Sequence, residues 1–194
     1  MTDQLWNPLL RDQIEFHWNA QVRPRLEGLG DEEYLWEPAP GAWSVRPRGT
    51  GTAPVQAGAG ALTIDFAMPP PDPPPVTTIA WRLGHVIVGV LGMRNAGHFG
   101  REPVDYESFL YAETAAGALA QLDAEYATWL AGVESLGEAG LALPAGPAEG
   151  PFAEHAMAEL VLHIHRELIH HLAEVCLLRD LYVHRHAPAP QEVG

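Results

Sequence analysis

The sequence contains no lysine. All 11 of its Lys and Arg positions are arginine, and 25 acidic residues against them give a formal net charge of -14 at pH 7. Displacing counterions from a phosphate backbone requires a basic surface, so nucleic-acid binding is not expected. Docking on an anionic membrane is unexpected on the same ground. Cysteine is nearly absent too. Cys176 stands alone between Val175 and Leu177, which rules out an intramolecular disulfide. In that apolar run a buried, inert thiol is expected. No window reaches the ~18 uninterrupted apolar residues of a membrane span. The opening MTDQLWNPLLRDQ lacks the basic-then-apolar order of a signal peptide, so a cytoplasmic protein is expected. Also missing are HExxH, a Gly-rich phosphate loop, a GxSxG elbow and a cysteine pair for structural zinc.

What is present fits one domain over residues 1–194. A 194-residue chain with 47% hydrophobic residues can bury a full-sized core. Four stretches carry helical spacing of apolar residues. The first covers about 5–29, through Leu5, Leu9, Ile14, Trp18, Val22 and Leu26. Pro24 should kink or shorten it, and Gly28 and Gly30 should stop it. An irregular insertion rich in Pro, Gly and Trp follows over about 31–76, with Trp36 and Trp43. Within it, residues 62–66 suit a short strand and residues 68–75, MPPPDPPP, suit a stiff polyproline-like chain. So long a connection is usually functional, and a cover over a pocket is the role expected of it. The second helix opens after Thr77 or Thr78 as N-cap and ends between Gly97 and Gly100. The third covers about 114–136 and the fourth about 157–182, with a frayed, flexible tail at about 184–194. Together these predict an all-α fold, an up-down-down-up four-helix bundle with a long irregular crossover between helices 1 and 2.

The fourth helix raises a specific question. At about 100° per residue, His163, Glu167, His170, His171 and Glu174 share a sector of roughly 100°. Ile164, Leu168, Leu172 and Val175 lie beside it and should face the core. Ionisable groups at a core edge are costly unless paired or bound to a metal. Glu167 and His171, at i and i+4, project the same way and can reach one ion. His85, in the apolar run WRLGHVIVG of the second helix, is the candidate third ligand. Two readings stay open on spacing alone: a three-ligand metal site, or a hydrogen-bonded polar cluster that fixes helix register. His165 and Arg166 point away from the stripe and should be solvated or paired. His17, His98, His155, His184 and His186 have no evident partners and default to surface or cap positions. Cys176 lies on the apolar side of the helix and is not a candidate nucleophile.

The order of helix, long crossover, LGHVIVG helix, third helix and RELIHHLAEVCLLRDLY resembles the DinB-like superfamily, over about residues 5–182. The segment GAWSVRP, residues 41–47, is similar to that family's short W-S motif. The superfamily includes thiol-dependent S-transferases and mycothiol-dependent maleylpyruvate isomerases. The resemblance implies a divalent metal held by a His of the second helix and an i, i+4 pair of the fourth. HHLAE falls on the family's HHRGQ-like run, which makes His171 the second member of the pair and Glu167 the first. The implied metal ligands are therefore His85, Glu167 and His171. His170 has Arg166 at its own i-4 position and fits less well. Glu174 either orients His171 or makes an exposed salt bridge, and His163 either lines the pocket or sits at the surface.

Two histidines and a carboxylate suit zinc, nickel or iron and leave positions open for water or substrate. The resemblance further implies a low-molecular-weight thiol such as mycothiol or bacillithiol, a small-molecule substrate and a homodimer. The function expected is that of a metal-dependent thiol S-transferase or isomerase. The alternatives are a metal-binding or stress-related protein without turnover, and a structural helical dimer. Arg23, Arg25, Arg46, Arg48 and Arg82 are available to hold a substrate carboxylate.

Overall fold

A computed structural model describes residues 5–186 of the chain. Helix α1 (Trp6–Phe16) continues without interruption through a wider turn at His17–Val22 and tightens to a 3-10 turn at Arg23–Leu26. The tightening falls at Pro24, which has no N–H to extend the ladder. A one-turn helix, α2 (Asp31–Tyr34), comes next. Its Glu33 is buried and bonded to Arg179, through Nε at 2.6 Å and Nη2 at 3.0 Å.

The expected insertion is less irregular than its composition suggests. Strands β1 (Val45–Pro47), β2 (Val55–Ala57) and β3 (Leu62–Phe66) form an antiparallel sheet in the order β1-β3-β2. Val45 pairs with Ile64 on one side of β3, and Ala57 with Ile64 on the other. The all-α expectation is thus corrected: the fold is mostly helical with a small three-stranded sheet. Only the central strand had been expected.

The sheet packs against α3 (Ile79–His85). Thr78 caps α3, accepting from the Trp81 N–H at 3.2 Å, and its hydroxyl also meets Ser44 Oγ at 2.9 Å. The GAWSVRP segment is therefore tied to the start of the helix that carries His85. Two backbone bonds, Trp43 N–H to Val76 O and Thr78 N–H to Trp43 O, both 2.9 Å, complete the tie. The helical run passes from α3 through a wider turn at Val86–Gly92 into α4 (Met93–His98), so the expected second helix is one continuous rod. In the wider turn hydrogen bonds span five residues, as from the Met93 N–H to Val88 O.

Helix α5 (Ala115–Leu141) packs against α1, α3 and α6 and buries Leu122, Tyr126, Trp129 and Val133. Gly137 has φ 55°, a left-handed conformation that glycine adopts without steric cost. The regular helix breaks there, close to the expected end at 136. A 3-10 turn at Pro147–Phe152 leads into α6 (Met157–His186), which runs past the expected end at 182. Residues 184–186 of the expected tail are helical, and 187–194 lie outside the described residues. Ile164, Leu168, Leu172 and Val175 of α6 are all buried. Cys176 is buried as expected, which pushes its thiol pKa up.

Candidate metal centre

Across the seam between α3 and α6, His171 meets His85 on one side and Glu167 on the other. The His85 and His171 rings meet edge to face, with centroids 4.7 Å apart and planes at 90°. Glu167 Oε2 stands 3.4 Å from His171 Nε2. The opposite nitrogen of that ring, Nδ1, is 2.8 Å from Glu174 Oε2. A carboxylate oxygen only accepts, so Nδ1 carries the proton. The Arg82 guanidinium, 3.4 Å from the same Nδ1, is then a charge neighbour of the ring, and its own partner is Glu174 at 3.2 Å. Burial holds the Arg82 pKa below its usual value, with Glu174 opposing the shift. Glu174 thus makes both expected contacts at once, the bond to His171 Nδ1 and a salt bridge, here to Arg82.

His85 is held by groups from three segments. Its Nδ1 meets the Tyr106 hydroxyl at 2.7 Å, and the Trp81 ring stacks on it at 5.5 Å and 18°. Trp43 leans on Trp81 at 6.1 Å, and Phe66 stacks on Tyr106 at 6.2 Å. The sheet region therefore reaches the His85 surroundings through two aromatic pairs. Trp36 does not join them; it packs edge-on against Tyr182 near the far end of α6. Burial lowers the His85 pKa to about 4, with His171 and Arg82 adding to the shift, so this imidazole is neutral at pH 7. Burial raises the Tyr106 hydroxyl to about 12, so it stays protonated.

Tyr106 has no counterpart in the sequence reading. It lies between α4 and α5, outside every periodic segment. Gly89 makes room for it, since a Cβ there would sit 2.0 Å from the Tyr106 hydroxyl oxygen.

The remaining polar residues fall into three places. His163 is within 3.5 Å of Glu167 Oε1 and accepts from Arg166 at 2.6 Å. His170 is largely exposed, 3.7 Å from Glu174. Among the described residues, His170, His171 and Glu174 are the one grouping of three whose donor atoms all lie within 4.8 Å of one another; His85 and Glu167 stand outside it. His165, expected to be solvated or paired, is instead buried edge-on to Trp129 at 6.2 Å. His98, expected at the surface or at a cap, is a buried partner of Glu149 at 2.8 Å. His17 meets Gln21 at 2.9 Å, and His155 pairs with Glu159 at the surface. No helix is long and apolar enough to cross a membrane among the described residues.

A model of the DinB superfamily matches residues 52–175, which takes in His85, Glu167, His171 and well over half of the chain. The match begins after α1 and the GAWSVRP segment. No curated protein and no solved structure matches the chain. On the match over residues 52–175 the chain belongs to the DinB superfamily.

Proposed function

We propose that the chain is a divalent-metal-dependent enzyme in which His85, Glu167 and His171 hold the ion. One observation carries this reading. The His171 ring, whose Nδ1 donates to Glu174, turns Nε2 toward Glu167 Oε2 at 3.4 Å, an acceptor facing an acceptor wherever that nitrogen bears no proton. Two acceptors so close repel unless a positive charge lies between them or the ring gains a second proton. Ligands about 2.0–2.1 Å from a tetrahedral ion stand roughly 3.3–3.4 Å apart, so the observed spacing suits one ion shared by both atoms. His85 faces His171 and is neutral, the form that binds metal.

The rival grouping of His170, His171 and Glu174 has two drawbacks. It leaves out His85, which faces His171, and it depends on the exposed His170, 3.7 Å from Glu174. The donor set fits zinc, nickel or iron. Tyr106 at His85 and Glu174 at His171 each engage Nδ1 and so direct Nε2 toward the seam. Trp81 stacks on one face of His85.

A divalent ion held there supplies a Lewis acid that makes a bound thiol or water more acidic near neutral pH. The reaction class best suited is transfer or isomerisation with a small thiol of the mycothiol or bacillithiol type acting on a small-molecule substrate. The homodimer expected from the resemblance finds support in the outward stripe of Leu162, Ile169, Leu177 and Leu181 on α6, all exposed.

Elemental analysis tests the centre. Wild type should carry about one ion per chain, lost in Glu167→Ala and His85→Ala and retained in His170→Ala. Retention in Glu167→Ala with loss in His170→Ala would move the ion to the rival grouping. A metal-free wild type after soaking would leave a polar seam that fixes register. Turnover with a small thiol then separates an enzyme from a metal-binding protein.

A further inference from the structure

A cavity opens beyond His163, beside the start of α6. It measures about 420 Å³ and lies between the Pro147–Phe152 turn, the end of the second helical rod and the start of α6. Phe152 and Leu160 give it an apolar wall, and Arg94, His163 and Arg166 give it donors. Its carboxylates are already engaged. Glu149 Oε1 takes His98 Nε2 at 2.8 Å and lies 3.4 Å from Arg94 Nε. Glu159 is held at the rim by His155 at 2.8 Å.

The donors are less well served. Arg94 Nε is buried and makes no hydrogen bond among the described residues; Glu149 Oε1 faces it at 3.4 Å as an ion pair, and His98 takes the closer place on that oxygen. Its Nη1 reaches only Gly89 O, at 3.4 Å. Arg166 spends one nitrogen on His163 and is otherwise 70% exposed, 3.6 Å from Glu167. Buried donors left without acceptors are costly, and a guanidinium matches the planar, two-oxygen shape of a carboxylate.

We propose that this cavity binds the carboxylate end of a small organic acid, anchored by Arg94 and Arg166 with its apolar body against Phe152 and Leu160. The volume lies in the range of small-molecule sites. His163 lines the cavity and touches Glu167, one helical turn from the candidate ion. A bound acid is coupled to the centre through that His163–Glu167 contact. The link to chemistry rests on the metal-centre reading, and the binding itself does not.

The test is calorimetric titration of the protein as purified with phenylacetate, its neutral analogue phenylacetamide and the cation benzylamine. Phenylacetate should bind saturably, and the other two at least about tenfold more weakly. Arg94→Gln and Arg166→Gln should each weaken phenylacetate about tenfold, and Arg94→Lys should lose less than Arg94→Gln. His171→Ala, which strips the ion, should leave phenylacetate binding unchanged. Equal binding of the amide, tighter binding of benzylamine or no saturable binding by wild type would overturn the proposal. So would loss of phenylacetate binding in His171→Ala with retention in both arginine variants, since the acid would then sit on the ion. A protein that fails elemental analysis can still pass this titration, so the two readings fail separately.

Discussion

His165 should make the protein sensitive to mild acid. The ring is 6% exposed, edge-on to Trp129, and its Nε2 is buried without a partner among the described residues. Burial lowers its pKa from 6.5 to about 4. The unfolded chain therefore binds a proton there at a pH where the folded chain does not. Unfolding takes up protons between the two values, so stability is full above pH 6.5 and falls as pH drops toward 4. A shift of this size corresponds to about 3 kcal/mol at the acid end. His85 is lowered to a similar value, so the wild-type curve alone does not isolate His165. The comparison of wild type with His165→Leu does. Leucine keeps an apolar side chain against Trp129 and cannot titrate. Urea unfolding of both proteins from pH 7.5 to 4, with chelator throughout, should show the variant gaining on wild type by about 3 kcal/mol as pH falls. Parallel curves across that range would refute the reasoning, because the ring would then ionise equally in both states.

Other perturbations probe the supports of the centre and the fold. Tyr106→Phe removes the hydroxyl from His85 Nδ1 and should weaken metal affinity about tenfold or more with little change in stability, read by chelator competition. Gly89→Ala places a methyl where the Tyr106 hydroxyl sits, so it should weaken metal binding at least as much and also lower the melting temperature. Arg179→Ala leaves Glu33 buried and unpaired and should cost about 3–5 kcal/mol in urea unfolding, whereas the double change with Glu33→Leu should recover much of that loss. Thr78→Ala removes the α3 cap and the Ser44 contact and should cost about 1–2 kcal/mol by the same measurement.

The helices were legible because their signals are local. Gly137 ends the regular part of α5 close to the residue expected from sequence, and Thr78 caps α3 as one of two candidates. The strands β1 and β2 were not legible. Each is three residues long, and each exists only by pairing with β3, so no periodicity marks them. At the site, i to i+4 spacing was enough to bring Glu167 and His171 together. It was not enough to find Tyr106, whose approach depends on the empty space at Gly89 in another segment. His165 shows the limit of reading one helix by itself. Its face lies opposite the polar stripe, yet α5 covers that side with Trp129, so α6 is buried on more than one side.

The wider turn at Val86–Gly92 sets the winding phase of the rod that carries both His85 and Arg94. In an unbroken α-helix, residues nine apart point about 180° from each other, so a side chain at 94 would face away from one at 85. A five-residue hydrogen-bonded turn takes in about one extra residue and holds back the rotation by roughly 100°. Arg94 then falls about 80° from His85, and both can address α6. The turn thus acts as a gear between the centre and the cavity. Deleting one residue from it would keep the rod and the His85 end in place while swinging everything beyond it, Arg94 included, away from α6.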